Sequence, residues 1–269
     1  MKQVASHTVQ LSSGADFLKS ADRALDALEL LSRRGSLGVS DLARAQKTGT
    51  STAHRILNTL TETGFATHDE ETGRYVLGHK LFELTKAAID LMKPLKYVRP
   101  CLDDLRSQCN ENSIFAIASR SRDCVLVVAE SAADSFVQIR SCLFDRLPLH
   151  ASACGKAYLL GLTDAELKSC LANCSWKNPT RNGPRSLTGL GTQLRLFRKN
   201  GYTVCKEEFM NGISSVGSPV CDCNGDFAGA LGVIGPSSRL NDRKIRRFGR
   251  ILQQSASKLS LHFKANAVS

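Results

Sequence analysis

The tightest constraint on this 269-residue chain lies between positions 17 and 78, where three stretches of helical periodicity are followed by two short alternating stretches around a polar tip. From Phe17 to Arg34, apolar residues fall at Phe17, Ala21, Ala24, Leu25, Leu28 and Leu31, the spacing of one helix face, and Gly35 stops the pattern. Ser40, a good N-cap type, precedes Leu42 and Ala43 and predicts a second, short helix that runs out near Gln46. Lys47-Thr48-Gly49 reads as a turn whose glycine accepts the unusual backbone angles. A third helix is predicted from Thr50 to Thr63, with Ala53, Ile56, Leu57 and Leu60 inward, closed by Gly64. Residues 65–68 and 74–78 then flank the tip Asp69-Glu70-Glu71-Thr72-Gly73 and read as a hairpin. Three helices and a hairpin in this order describe a winged helix-turn-helix over residues 17–78, whose third helix is expected to enter the major groove of double-stranded DNA.

The outward face of that helix carries Ser51, Arg55 and Asn58, flanked by Thr50, Thr52 and His54. Apart from Arg55 these are weak helix formers, so local propensity did not select them. Arg55, Ser51, Thr52 and Asn58 are the candidates for base edges, with His54 and Ser40 beside them, and Lys47, Thr50 and Arg74 for phosphates. Arg74 reads equally well as an ordinary surface arginine. Net charge, +11, adds little: residues 1–90 hold 11 of the 36 basic and 11 of the 25 acidic side chains. The excess lies downstream, most densely at Arg243, Lys244, Arg246, Arg247 and Arg250. That run reads first as a solvated helix face, with a second nucleic-acid surface or a contact for RNA polymerase as the weaker readings.

Residues 79–94 form the expected linker, a helix with Leu81, Leu84, Ala88 and Leu91 at helical spacing. Pro94 and Pro100 punctuate the next stretch, ahead of a helix ending near Cys109. An apolar stripe on a linker is most simply buried against a second copy, so a homodimer or homotetramer is expected. From Ser113 the pattern changes to strands, at 114–119, 125–130, 136–140, 202–206, 214–221 and 227–234, interleaved with helices at 154–162, 164–171, 188–199 and 242–263. This predicts an antiparallel sheet flanked by helices over residues 95–265, and an α+β chain as a whole.

The ten cysteines are scattered through a chain with no export-signal pattern at its start, so reduced thiols are expected. Cys170/Cys174 and Cys221/Cys223 have no second pair or histidine at finger spacing, so neither a metal nor a cofactor is expected. No run of about 18 apolar residues predicts a membrane span, and the expected location is the cytoplasm. Cys154 at a helix start, with His150 four residues before it, is a setting that lowers a thiol's pKa and admits a nucleophilic role. An enzyme would leave residues 37–78 unexplained, so catalysis is not expected. His150 reads as a brace for its loop, and Lys156 as a solvated lysine on a helix surface.

Several separate motifs in order carry a resemblance. They are residues 20–25 (Ser-Ala-Asp-Arg-Ala-Leu), 51–57 (Ser-Thr-Ala-His-Arg-Ile-Leu), 72–78 (Thr-Gly-Arg-Tyr-Val-Leu-Gly), 147–157 (Leu-Pro-Leu-His-Ala-Ser-Ala-Cys-Gly-Lys-Ala), and Gly201-Tyr202 with Glu207-Glu208 after them. On these the chain resembles the IclR family of bacterial transcriptional regulators from about Ser20 to Ser260. The resemblance implies dimers or tetramers that bind palindromic operators and answer to a small metabolite, very often a carboxylate or aromatic acid, controlling an operon for catabolism. It also implies a GAF-like effector-binding domain whose pocket lies between the sheet and residues 147–157, lined by Phe136, Ile139, Ala153, Cys154, Cys205, Ile213 and Ser215. The family often has an acid where Cys205 stands and a cysteine where Ser215 stands. A helix starting at Ser152 or Ala153 offers free N–H groups to an anion, which agrees in kind. A second reading keeps the DNA-binding half and makes Cys154 and Cys205 a thiol redox sensor.

Overall fold

The computed structural model describes residues 18–91, 95–134, 139–176 and 180–265. The chain divides between Leu91 and Met92 into two compact units, each taken by itself below.

In the first unit, α1 (Lys19–Arg34), α2 (Val39–Gln46) and α3 (Thr50–Glu62) precede a hairpin of β1 (Ala66–Asp69) and β2 (Arg74–Leu77), and α4 (Lys80–Leu91) comes after it. Ala27, Leu31, Leu37, Leu42, Ala53 and Leu57 are fully buried in one core, with Tyr75 of the wing against them. The wing is anchored from the helical side: Leu37 and Tyr75 exchange backbone hydrogen bonds of 2.9 and 2.8 Å, adding a third extended segment to the hairpin.

Two local expectations are corrected. Ser40 is not the cap of α2; the helix starts at Val39 behind Gly38, whose N–H donates to the Asp41 carboxylate at 3.2 Å, so the acid three residues on fills the capping role. Gly49 is not the residue with unusual backbone angles either. Lys47 takes the left-handed conformation (φ 52°), which lets the Thr48 N–H reach back to Ala43 O at 2.9 Å and close α2, while Gly49 is extended and precedes α3.

The second unit opens with α5 (Leu95–Cys109) and is built on a six-stranded antiparallel sheet of β3 (Asn112–Ala118), β4 (Cys124–Ser131), β5 (Arg146–Pro148), β6 (Thr203–Lys206), β7 (Ile213–Cys221) and β8 (Phe227–Pro236), in the order β5-β4-β3-β8-β7-β6. Helices α6 (Ala153–Leu160), α7 (Asp164–Cys170) and α8 (Leu187–Asn200) lie between β5 and β6, and α9 (Asp242–Ala265) closes the unit. Alternation along β3 separates the faces. Phe115 points to α9, its ring 6.1 Å from that of Phe263, whereas Ile114 and Cys154 of α6 both meet the site of Gly232 on the other face.

Pro100 does not punctuate the chain; it lies inside α5. It gives the helix ladder no N–H, but Leu95, Val98, Leu102 and Leu105 bury a continuous stripe and hold the helix through it. The strand expected at 136–140 is also corrected: Ile139 and Arg140 are not in a strand, and residues 136–138 lie outside the described residues. The edge partner of β4 is instead β5, farther along the chain. Among the described residues no helix is long and apolar enough to cross a membrane.

Candidate functional site

Two features carry chemistry, one in each unit. In the first, α3 presents Thr50, Ser51, His54, Arg55 and Asn58 to solvent with Thr52 half-buried at the edge of the stripe, while Ser40 on α2 and Lys47 in the turn are accessible beside it. Asn58 is held rather than free: its Oδ1 accepts from the Tyr75 hydroxyl at 3.3 Å. Arg74 is largely committed within the unit. Its Nη2 donates to Asp41 at 2.8 Å and its Nε to the Ser36 hydroxyl at 2.9 Å, so the guanidinium ties the wing to α2. The Gly38 amide and Arg74 beside Asp41 hold that carboxyl below its ordinary value.

In the second unit a cavity of about 710 Å³ lies between the sheet and the start of α6. The strand register explains which residues reach it. Cys205, Ser215 and Ile234 are successive cross-strand partners in β6, β7 and β8, one row on one face, and Gly232 pairs with Ile114 in the next. All five line the cavity, with Ala153 and Cys154 from α6 opposite and Ile213, Phe209 and Met210 at one side. The far wall is the segment 139–147, which adds Ile139, Arg140, Cys142, Asp145, Arg146 and Leu147. Of the residues expected at the pocket, Ile139, Ala153, Cys154, Cys205, Ile213 and Ser215 are there, and Phe136 lies outside the described residues.

Close packing fixes the mouth of α6. Gly217 and Gly232 stand opposite one another in β7 and β8; a Cβ on the first would lie 2.8 Å from the carbonyl carbon of Ala153, and on the second 2.7 Å from Cys154 Sγ. Gly155 is as constrained, 2.4 Å from Pro148 O by the same measure. Ser152 caps the helix, its hydroxyl accepting from the Gly155 N–H at 3.0 Å and donating to Pro148 O at 2.7 Å. The N–H groups of Ala153 and Cys154 are left without intrahelical acceptors at the cavity wall.

The basic side chains of the wall are held by carboxylates: Arg140 lies 2.8 Å from Asp145, and Arg146 2.8 Å from Asp123. Burial pushes the Asp123 carboxyl up, but hydrogen bonds from Ser121 and Ser119 and the charge of Arg146 outweigh it and bring it down to about 2. Arg140, Cys142, Asp145 and Arg146 were not anticipated as cavity residues from sequence. The first three sit in irregular backbone between β4 and β5, which leaves no periodicity to read.

Lys156 is not a solvated surface lysine. It is 0% exposed, and its Nζ lies 2.6 Å from both oxygens of Glu208, itself 7% exposed, and 3.3 Å from Val204 O. Burial raises the Glu208 pKa against the attraction of Lys156. The pair bolts α6 to the end of β6, one residue from Phe209 in the cavity wall.

The nucleophile setting also dissolves. His150 Nδ1 lies 3.2 Å from Cys174 Sγ and its ring 5.4 Å from that of Trp176, so the imidazole braces the loop. Burial pushes the Cys154 thiol up to about 12. Cys205 is raised by burial too and donates to Ala151 O at 3.1 Å. Burial thus disfavours the thiolate form of both, the form that thiol chemistry requires. Among the described residues no three histidine, cysteine, aspartate or glutamate side chains come together to hold a metal ion.

Residues 20–70 match the family model described as the IclR helix-turn-helix domain, and residues 86–261 the one described as the C-terminal domain of bacterial transcriptional regulator IclR. The chain is 30% identical over 240 residues, covering 89% of it and 88% of the relative, to the transcriptional repressor AllR of Salmonella paratyphi A. Among solved structures it superimposes on an IclR transcriptional regulator from Alicyclobacillus acidocaldarius with a TM-score of 0.80 at 23% identity, over 91% of this chain and 98% of the other. An IclR homolog from Microbacterium hydrocarbonoxydans, complexed with 4-hydroxybenzoate, gives a TM-score of 0.77 at 19% identity over 92% and 100%.

Proposed function

Since the chain belongs to the IclR family of bacterial transcriptional regulators, we propose that it is a repressor whose grip on its operator is set by a small organic acid in the cavity beside α6. The observation that carries this is the cavity itself. Its roughly 710 Å³ falls within the range of small-molecule sites, and its wall is mostly apolar with a few convergent polar groups. An acid's carboxylate would meet the Ala153 and Cys154 N–H groups and the positive end of α6. Its apolar body would lie on Ile114, Ile139, Ile213 and Ile234, within reach of the Ser215 hydroxyl. A homolog complexed with 4-hydroxybenzoate and a relative named as a repressor support the reading in kind.

At the other end, Arg55, Ser51, Thr52 and Asn58 would read base edges with His54 and Ser40 near them, and Lys47 and Thr50 would hold phosphates. Arg74 would act mainly by fixing the wing. The exposed apolar residues of α4, Phe82 at 80% and Leu84 at 47%, would be covered by a second copy in a homodimer. Its place of work would be the cytoplasm, with the DNA.

The test is a thermal-shift screen of aromatic and small aliphatic acids on the full chain and on Ser215→Leu, which pushes a bulkier apolar side chain into the cavity and removes its hydroxyl. One acid should raise the melting temperature of the parent and leave the variant unmoved, because a ligand that binds only the folded state at about 100 times its Kd adds about 2.7 kcal/mol. Equal shifts in both proteins would place the ligand elsewhere.

A further inference from the structure

The basic run on α9 is left unexplained by either site, and the helix itself does not favour it. Arg243, Arg246, Arg247 and Arg250 recur at i, i+3, i+4 and i+7, forming a stripe opposite the buried Ile245, Phe248, Leu252 and Ala256; all four, and Lys244, are exposed. Arg243 and Arg247, like Arg246 and Arg250, are four apart, and like charges at that spacing repel. Arg243 and Lys244 stand in the first turn, where the positive end of the helix disfavours cations. An idle surface helix relieves such repulsion with acids, yet Asp242 is the only acid in α9, and it lies 2.5 Å from Lys206. Arg247 donates to Gln108 O at 3.3 Å. Arg246 lies close enough to Asp242 for its charge to help lower that carboxyl, though no salt bridge joins them, and among the described residues Arg243, Lys244 and Arg250 have no ion-pair partner.

A stripe that works against its own helix is a local conflict of the kind that marks an external partner. Charge, chemistry and length indicate which one. Four of the five cations are arginines, whose planar fork matches phosphate in two hydrogen bonds. From Arg243 to Arg250 the helix rises roughly 10 Å, about the axial span of three phosphates on one DNA strand. The unit that carries the recognition helix has no net charge to attract the polyanion, since residues 1–90 are balanced and the whole excess of +11 lies beyond them. We infer that the Arg243–Arg250 face of α9 is a second nucleic-acid surface, which holds the phosphate backbone of duplex DNA flanking the operator without reading its sequence. This rests on the regulator reading only in taking DNA as the partner at hand.

The experiment compares the full-length parent with Arg243→Gln/Arg246→Gln/Arg250→Gln and with the corresponding triple lysine variant, by fluorescence anisotropy across a salt series. Three duplexes are used: about 25 base pairs from the region upstream of the chain's own coding sequence, the same with long flanks, and a random long duplex, since each phosphate contact contributes about 0.9 to the salt slope. The glutamine variant should lose about two to three units of that slope and at least tenfold in affinity on both long duplexes at low salt. It should match the parent on the short one, and the lysine variant should keep the slope. An unchanged slope on the long duplexes, with helix content intact by circular dichroism, overturns the inference, whether or not an acidic protein binds the stripe. A parent with no preference for its upstream sequence would contradict the regulator reading, while the slope on the random duplex still decides the stripe.

Discussion

At Lys156, a single buried side chain ties α6, whose first turn borders the cavity, to the residues just after β6. Its ammonium and Glu208 share a buried site, so removing one partner strands a charge. Lys156→Met should cost about 3–5 kcal/mol in denaturant unfolding, and Lys156→Met with Glu208→Gln should recover most of it, since replacing both members avoids the orphan charge. Equal losses in the single and double variants would show the pair is not coupled. Sequence reading put Lys156 in solvent for a definable reason: every residue from Ala153 to Leu159 is buried, so α6 has no polar face and its periodicity carries no information about sides. The cysteines separate by the same criterion. Cys154, buried with its thiol pushed up to about 12, should be among the last to react with iodoacetamide in the native protein, and the exposed Cys223 the first. Early labelling of Cys154, read by peptide mass spectrometry, would revive the redox reading. Asp123 gives the acid-side counterpart. Its folded pKa, about 2, lies below the ordinary 3.8, so its stabilising contribution is whole above the ordinary value and is lost as pH falls through 2. Asp123→Asn should therefore flatten the acid end of the stability curve, measured by denaturant unfolding across pH.

Among the elements, α3 and α6 show what a sequence discloses and what it conceals. The outward stripe of α3 was readable because its inward residues, Ala53, Leu57 and Leu60, are buried at helical spacing in a helix with one wet side. Arg55→Ala should weaken binding to the specific duplex by about 1–3 kcal/mol while leaving the random duplex nearly unaffected if the side chain reads a base. Equal losses on both would make it a phosphate contact. The Cys205, Ser215 and Ile234 row depends on register between strands, which no local pattern specifies, so Cys205 and Ser215 were reached through resemblance and Ile234 was not. Gly217 and Gly232 are the signal that physical reading missed: glycines in the middle of two strands mark a close approach, here of α6. Arg140 and Asp145 gave no signal as cavity residues because their irregular segment carries no periodicity, and Arg146 gave none because it opens a strand of only three residues.

For the whole molecule, the partition of charge is the fact that composition alone would have misread. A net +11 suggests a basic DNA-binding domain, whereas the winged unit is balanced and the excess sits in the remainder of the chain. On the proposed reading, specific recognition and long-range attraction would fall to different parts of one chain, and an effector would act only if it bound one arrangement of the protein better than another. The most direct measurement is a fluorescence-anisotropy titration of the full chain against duplex from its own upstream region and against random duplex, with and without the acid that stabilises it in the thermal screen. The account predicts salt-sensitive binding that prefers the upstream duplex and an affinity shift of about fivefold or more with the acid, about 1 kcal/mol of coupling, abolished in Ser215→Leu. Tight binding of the acid that leaves operator affinity unchanged would contradict it.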